Sequence, residues 1–375
     1  MLLGFLGWNI TILYVVVSIS VGAFIIESVS LFYKINKMEY VMSNVITETN
    51  HSNDKRPTFV RWIKNTPIAL FAIVMGISGL SLAWEKSQQF FGVSSIPGDA
   101  LRWVASIIWI ILSSVYLAKL IKYPGLIKTE LHHPAKLNFF AAISIGLLLV
   151  SILWYPSSPD LSLWLWGTGC ILHLTFTLIT MNIWIFNSNF KIEQITPAWF
   201  IPVVGNIIIP VIGVKHAIAD INWFFFSIGL ISWFILMTMV LYRLFFHEQL
   251  PKQLMPTLFI LIAPPSVGFL AYVSLNNGIL DGAGKILYFL SLFITMLLFT
   301  QIRMFSRIPF SLSSWAYSFP LASITIATLE MSGRSDFVLF RPLGFILLLI
   351  VTLTVMVLTI KTIHAVFSGK VFISQ

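Results

Sequence analysis

About ten stretches of roughly 20 apolar residues dominate this chain, each bounded by charge or turn residues, and that is the length at which a helix crosses the hydrocarbon core of a bilayer. They fall at residues 67–84, 102–122, 137–155, 161–186, 196–214, 221–246, 255–276, 284–302, 311–330 and 337–362. In hydrocarbon every backbone N–H and C=O must find a partner within the chain, so runs of this length read as helices. Hydrophobic residues make up 58% of the sequence and charged residues 10%, with a mean hydropathy of +0.91, well away from soluble domains. The predicted fold class is therefore all-α and polytopic, in direct contact with the lipid bilayer. Trp62, Trp84, Trp103, Trp154, Trp199 and Trp223 fall near the ends of stretches, where amphipathic rings anchor at headgroup level.

The stretches are of two alternating kinds. Proline and glycine break one set near Pro67, Pro134, Pro202, Pro264 and Pro320, while partners such as 102–122 and 284–302 contain no proline. A proline inside a membrane helix removes a backbone hydrogen bond and crowds the preceding turn, so it is tolerated where protein or a water-filled cavity satisfies the freed groups. The breaks recur about every 55 to 70 residues, the length of a helical hairpin with its loops. This predicts about five hairpins in a ring, with broken helices inward and smooth helices outward.

Residues 1–33 form a further apolar stretch with no lysine or arginine before Lys34. They lack the positive start and short apolar region of a secretory signal and read as an extra anchor helix, although Met38 or Met42 would serve as the start of a shorter chain. Residues 34–66 read as a basic and polar cytoplasmic linker, 67–365 as the ten-helix domain, and 366–375 as a short cytoplasmic tail. Placing the linker inside puts Lys119, Lys122, Lys128, Lys136, Lys191, Arg243, Lys252, Arg303, Arg307, Lys361 and Lys370 inside too, against Lys86, Arg102, Lys215, Lys285, Arg334 and Arg341 outside. That asymmetry predicts a core that starts and ends in the cytoplasm. The net charge of +9 sits in loops of this kind rather than on one face, so it points to topology and not to nucleic acid.

The polar inventory excludes several chemistries. The candidate inward helices carry no Asp, Glu, Lys or Arg from Pro67 to Trp84, from Ile195 to Val214 or from Pro309 to Leu329, which disfavours a proton relay and a carboxylate-based membrane enzyme. His173 lies inside a smooth helix and reads as a hydrogen-bonded packing residue. His132 and His133 sit in a loop without companion ligands, and the single cysteine, Cys170, reads as packing. No cofactor or metal is expected. A pore without fixed charge selects by size, hydration and backbone dipoles. Asn206, Ser318, Ser323 and Thr325 are candidate donors to an anion, whereas carbonyls freed at proline kinks would repel one. These features leave the sign of the permeant ion only weakly determined.

The run Trp315-Ala316-Tyr317-Ser318-Phe319-Pro320-Leu321-Ala322 resembles the ninth-helix signature of the TehA/SLAC1 family, the tellurite-resistance, C4-dicarboxylate transporter and anion channel group. Further blocks in the same order are Met75 to Leu80 with Leu82-Ala83-Trp84, His133 to Phe140, Thr196 to Pro202 before Gly205-Asn206, and Ala263-Pro264-Pro265-Ser266-Val267-Gly268. The resemblance covers about residues 64–370 and implies ten helices as five hairpins in quasi-fivefold arrangement around a pore, commonly as a homotrimer in the bacterial inner membrane. It implies a pore gate at Phe319. Pore-lining or helix-kink roles are expected for Gly76, Gly79, Pro202, Gly205, Asn206, Pro264, Pro265, Gly268, Ser318 and Pro320. The implied function is passive movement of small inorganic or organic anions, including tellurite-type oxyanions, with a C4-dicarboxylate carrier of malate type as the alternative.

Overall fold

The computed structural model describes residues 59–186 and 190–368; the expected N-terminal helix at 1–33, most of the linker and the last residues of the tail lie outside the described residues. Among the described residues there are ten core helices: α1 (Ile68–Phe91), α2 (Ile96–Lys122), α3 (Leu137–Trp154), α4 (Pro159–Phe186), α5 (Pro197–Gly213), α6 (Ala219–Phe246), α7 (Met255–Leu275), α8 (Gly282–Phe299), α9 (a 3₁₀ start Leu312–Tyr317 continued as Ser318–Ser332) and α10 (Phe340–Phe367). Eight of them are long and apolar enough to cross a membrane.

Consecutive helices pair as hairpins, α1 with α2 through to α9 with α10, and the odd helices also touch each other in a closed circuit: α1 to α3, α3 to α5, α5 to α7, α7 to α9 and α9 back to α1. Burial follows that arrangement. The most apolar windows of α1, α3 and α7 are 72%, 78% and 67% buried, whereas those of the even helices are 22% to 39% buried. Side chains such as Ile107, Ile111, Ile171, Phe234, Phe293 and Leu353 are left exposed on the even helices, as a lipid-facing surface requires.

All five inner helices open with 3₁₀ turns, at Ile68–Leu70, Leu137–Phe139, Pro197–Trp199, Met255–Ile262 and Leu312–Tyr317, and α5 has a second 3₁₀ segment at Gly205–Ile208. Proline supplies the reason in α5, α7 and α9. Pro202, Pro210, Pro264, Pro265 and Pro320 offer no N–H to the carbonyl four residues earlier, and in each case that carbonyl lies in the 3₁₀ stretch. The wider rise of a 3₁₀ turn lets the 17 residues of α5 reach about 29 Å, close to the thickness of the hydrocarbon core.

The end of the stretch assigned to the linker is itself helical, Phe59–Asn65, and packs on α2. Beside it Lys119, counted above among the loop cations, is only 1% exposed. Its ammonium donates to Glu130 Oε1 at 2.8 Å and to the carbonyl of Thr66 at 2.9 Å, and the Tyr116 hydroxyl donates to Glu130 Oε2 at 3.1 Å. Glu130 lies on the short helix Pro124–Leu131, so one ion pair ties α2 and the α2–α3 connection to the start of α1. Removing one partner of a buried pair strands the other charge. Lys119→Met is therefore expected to lower stability by about 3 kcal/mol, read as an earlier thermal unfolding midpoint in detergent. At the opposite end Asp281 caps α8 by accepting from Gly284 N at 3.0 Å. The Tyr272 hydroxyl bonded to Asp281, together with that N–H, holds its carboxyl below the usual range.

Candidate functional site

A cavity of about 90 Å³ lies at the N-terminal ends of the inner helices, and all five contribute to its wall. Ala72 and Met75 come from α1, Phe139 and Ile145 from α3, Phe200, Val204, Gly205 and Ile208 from α5, Ile260, Ala263, Pro264 and Val267 from α7, and Leu312, Ser313, Trp315, Phe319 and Pro320 from α9. Of the described residues that line it, none is ionisable. The Trp315 indole N–H is spent on Thr362 Oγ1 at 2.8 Å, and the Ser313 hydroxyl bonds Ser311 and the carbonyl of Gln253. Such a space admits several waters by volume but offers them few partners.

Phe319 and Pro320 are the lining residues of α9 farthest from its N-terminus. The Phe319 ring rests against the backbone of α1 at Gly79, where a Cβ would lie 3.2 Å from Phe319 Cδ2 and 2.9 Å from the Ala322 methyl. One turn earlier a Cβ at Gly76 would lie 2.1 Å from Ser318 Oγ. These two glycines therefore permit the close α1–α9 contact that sets the position of the ring, and neither lines the cavity.

The structure gathers Gly205, Pro264, Phe319 and Pro320 at one wall, and it sends the other expected residues elsewhere. Asn206 is fully buried and turned toward α4, donating to Thr177 Oγ1 at 3.0 Å and to the carbonyl of Val203 at 2.7 Å. The carbonyl of Pro202 accepts from Thr177 at 2.7 Å. Pro265 and Gly268 are buried within α7, and Gly268 faces Leu287 and Ile207 at ordinary contact distance. Ser318, Ser323 and Thr325 donate back to the carbonyls of Trp315, Pro320 and Leu321 at 2.6, 2.8 and 2.7 Å. The expectation that these hydroxyls and the Asn206 amide present donors to an anion is thus corrected. A hydroxyl on an inner helix finds a carbonyl of its own preceding turn at no cost in chain order.

Behind Gly205 stands His173, fully buried, with Nδ1 2.9 Å from Ser144 Oγ. A Cβ at Gly205 would lie 2.8 Å from His173 Nε2, so the glycine is required by the packing of α4 against α5. Among the described residues no group of three or more His, Cys, Asp or Glu side chains is placed to hold a metal ion.

Two residues that the reading of the sequence left out of the site lie on its helices. Lys86 and Glu330 form an ion pair beyond the cavity, with Arg334 Nε on Glu330 Oε1 at 2.7 Å. The signal was present as an eleven-residue spacing, from Met75 to Lys86 and from Phe319 to Glu330, which returns an α-helix close to the same face after three turns.

Residues 65–363 match the protein family described as voltage-dependent anion channel, SLAC1. Among similar proteins, the S-type anion channel SLAH3 of Arabidopsis thaliana is 29% identical over 84% of this chain and 50% of its own length. The tellurite resistance protein TehA homolog of Haemophilus influenzae is 31% identical over 69% of this chain and 79% of that protein. An uncharacterized transporter of Methanocaldococcus jannaschii is 25% identical over 83% of this chain and 98% of that protein. The chain spans about half the length of the plant channel it matches.

Proposed function

From the premise that this chain belongs to the SLAC1 family of voltage-dependent anion channels, we propose that it moves small anions passively along the axis of the inner ring, with Phe319 as the gate. The observation that carries this reading is an apolar cavity walled by all five inner helices, with the Phe319 ring in its wall. An apolar constriction of this kind closes by excluding water, and a small movement of one ring is enough to open it. Pro320 supports that role, because the carbonyl of Ala316 has no helical N–H to receive and the helix is locally free to bend. The excess of lysine and arginine on the connections at the cavity end supports reading that end as cytoplasmic. The site is read as part of a homotrimer in the bacterial inner membrane, and tellurite-type oxyanions belong to the same class of cargo.

With no ionisable side chain on the described cavity wall, affinity should be weak and selectivity should follow ease of dehydration. Flux from proteoliposomes loaded with chloride, nitrate, malate or tellurite tests this. Nitrate is expected to leave faster than chloride and malate slowest, without saturation. Saturable malate exchange with counterflow would instead establish a dicarboxylate carrier, and a rate that rises with hydration strength would overturn the selection rule.

A further inference from the structure

We propose that Lys86 and Arg334 form an anion-capture site at the mouth opposite the Phe319 cavity, and that the Glu330 carboxylate occupies it as a tethered competitor. This rests on the reading of the chain as an anion conductor.

Within α9 from Ser318 to Glu330 only Phe319, Ile326 and Glu330 are partly exposed, a spacing of seven and four that marks one face of a helix. On α1 the partly exposed positions include Ala72, Met75, Leu82 and Lys86, with the same periodicity. Met75 and Phe319 both line the cavity. Eleven residues add about 1100°, or three turns and roughly 20°, and about 16 Å of rise. Lys86 and Glu330 therefore look onto the same axis as the two cavity residues, farther along it, and their ion pair shows that the two faces meet there. Glu85, beside Lys86, is turned instead toward Gly98 of α2.

The Lys86 ammonium takes Glu330 Oε2, while the Arg334 guanidinium takes Oε1. The three side chains are 24%, 14% and 30% exposed, so the cluster is partly desolvated yet open to solute. An ammonium on one oxygen and a guanidinium on the other would hold any small oxyanion as they hold this carboxylate. The ligand class is thus a small monovalent anion, with planar nitrate fitting best.

The surrounding backbone gives the cations a reason to be there. The inner helices run in parallel and all end at this mouth, where aligned peptide dipoles leave partial negative charge that repels anions. Arg334 donates to the carbonyl of Gly278, just past the end of α7, and Arg341 donates to the carbonyl of Phe90 at the end of α1 at 2.6 Å. One guanidinium thus covers the end of α1 and another the turn that follows α7. Lys86 and Arg334 against one carboxylate leave a net positive charge.

The test uses the full chain with Phe319→Ala added, so that current is readable. Glu330→Gln is expected to raise anion current entering from this mouth roughly three- to tenfold at about 0.01 M salt, with little change from the cavity side and none at about 1 M, where screening is complete. Lys86→Met should lower the same current, and Glu330→Asp should raise it less than Glu330→Gln does. An unchanged or reduced current in Glu330→Gln, or a change equal from both sides, overturns the capture site while leaving conduction intact. A Phe319→Ala protein without anion current overturns the conduction reading, and the capture site is then judged by binding alone. Nitrate titration of thermal unfolding in detergent should show stabilisation of Glu330→Gln beyond the wild type, lost on adding Lys86→Met; equal nitrate responses in the three proteins sink the proposal.

Discussion

Phe319→Ala is expected to raise anion conductance by about ten- to a hundredfold, equivalent to lowering the barrier by roughly 1.4 to 2.8 kcal/mol. The ring rests against the Gly79 backbone of α1 and stands in the wall with Gly205 of α5 and Pro264 of α7. Truncating it to a methyl removes an aromatic ring from the cavity wall and lets water continue past it, so a permeating anion keeps more of its hydration. A Phe319→Leu protein should fall between the two, since leucine is apolar but smaller. Currents in planar bilayers or oocytes measure the effect. Wild-type currents from a variant that is inserted and folded would remove Phe319 from the gate.

The second large effect concerns stability. Gly76→Ala is expected to destabilise the protein by about 3 kcal/mol or more, because the new methyl would lie 2.1 Å from Ser318 Oγ, 2.7 Å from its Cβ and 3.0 Å from the Trp315 ring. Rotating the hydroxyl away does not relieve the clash. The Ser318 Cβ is itself too close, and Oγ is held by its 2.6 Å bond to the carbonyl of Trp315. The contact lies between α1 and α9, the pair that closes the inner ring. Ser318→Gly removes both offending atoms, so the Gly76→Ala/Ser318→Gly double variant should recover most of the loss, a coupling that a double-mutant cycle measures directly. Thermal midpoints in detergent are the readout. A double variant no more stable than Gly76→Ala alone would show that the clash is not the cause.

Much of the architecture could be read from the chain. Runs of apolar residues long enough to cross hydrocarbon must be helical, and prolines concentrated in alternate runs separate inner from outer helices, because a helix packed on protein best tolerates the freed carbonyls. The closed circuit of odd helices and their greater burial have that origin. Phe319 and Pro320, Pro264 and Gly205 fall on the cavity wall, but Asn206 and Ser318, adjacent to two of them in sequence, do not. Lys86 and Glu330 sit in stretches assigned to helix ends, and their place on the axis followed only once Met75 and Phe319 were seen to line the cavity.

The sequence by itself determined the helical, membrane-crossing class, the hairpin repeat and the division into inner and outer helices, since these depend on segment length and on where proline occurs. Only the tertiary structure decided which face of each inner helix meets the axis. A 3₁₀ turn advances about 120° per residue against about 100° in an α-helix, so the seven 3₁₀ residues of α5 shift its facing by about 140°. A rotation of that size moves a side chain from the cavity to the neighbouring helix, and its extent depends on how proline-broken turns pack against the ring.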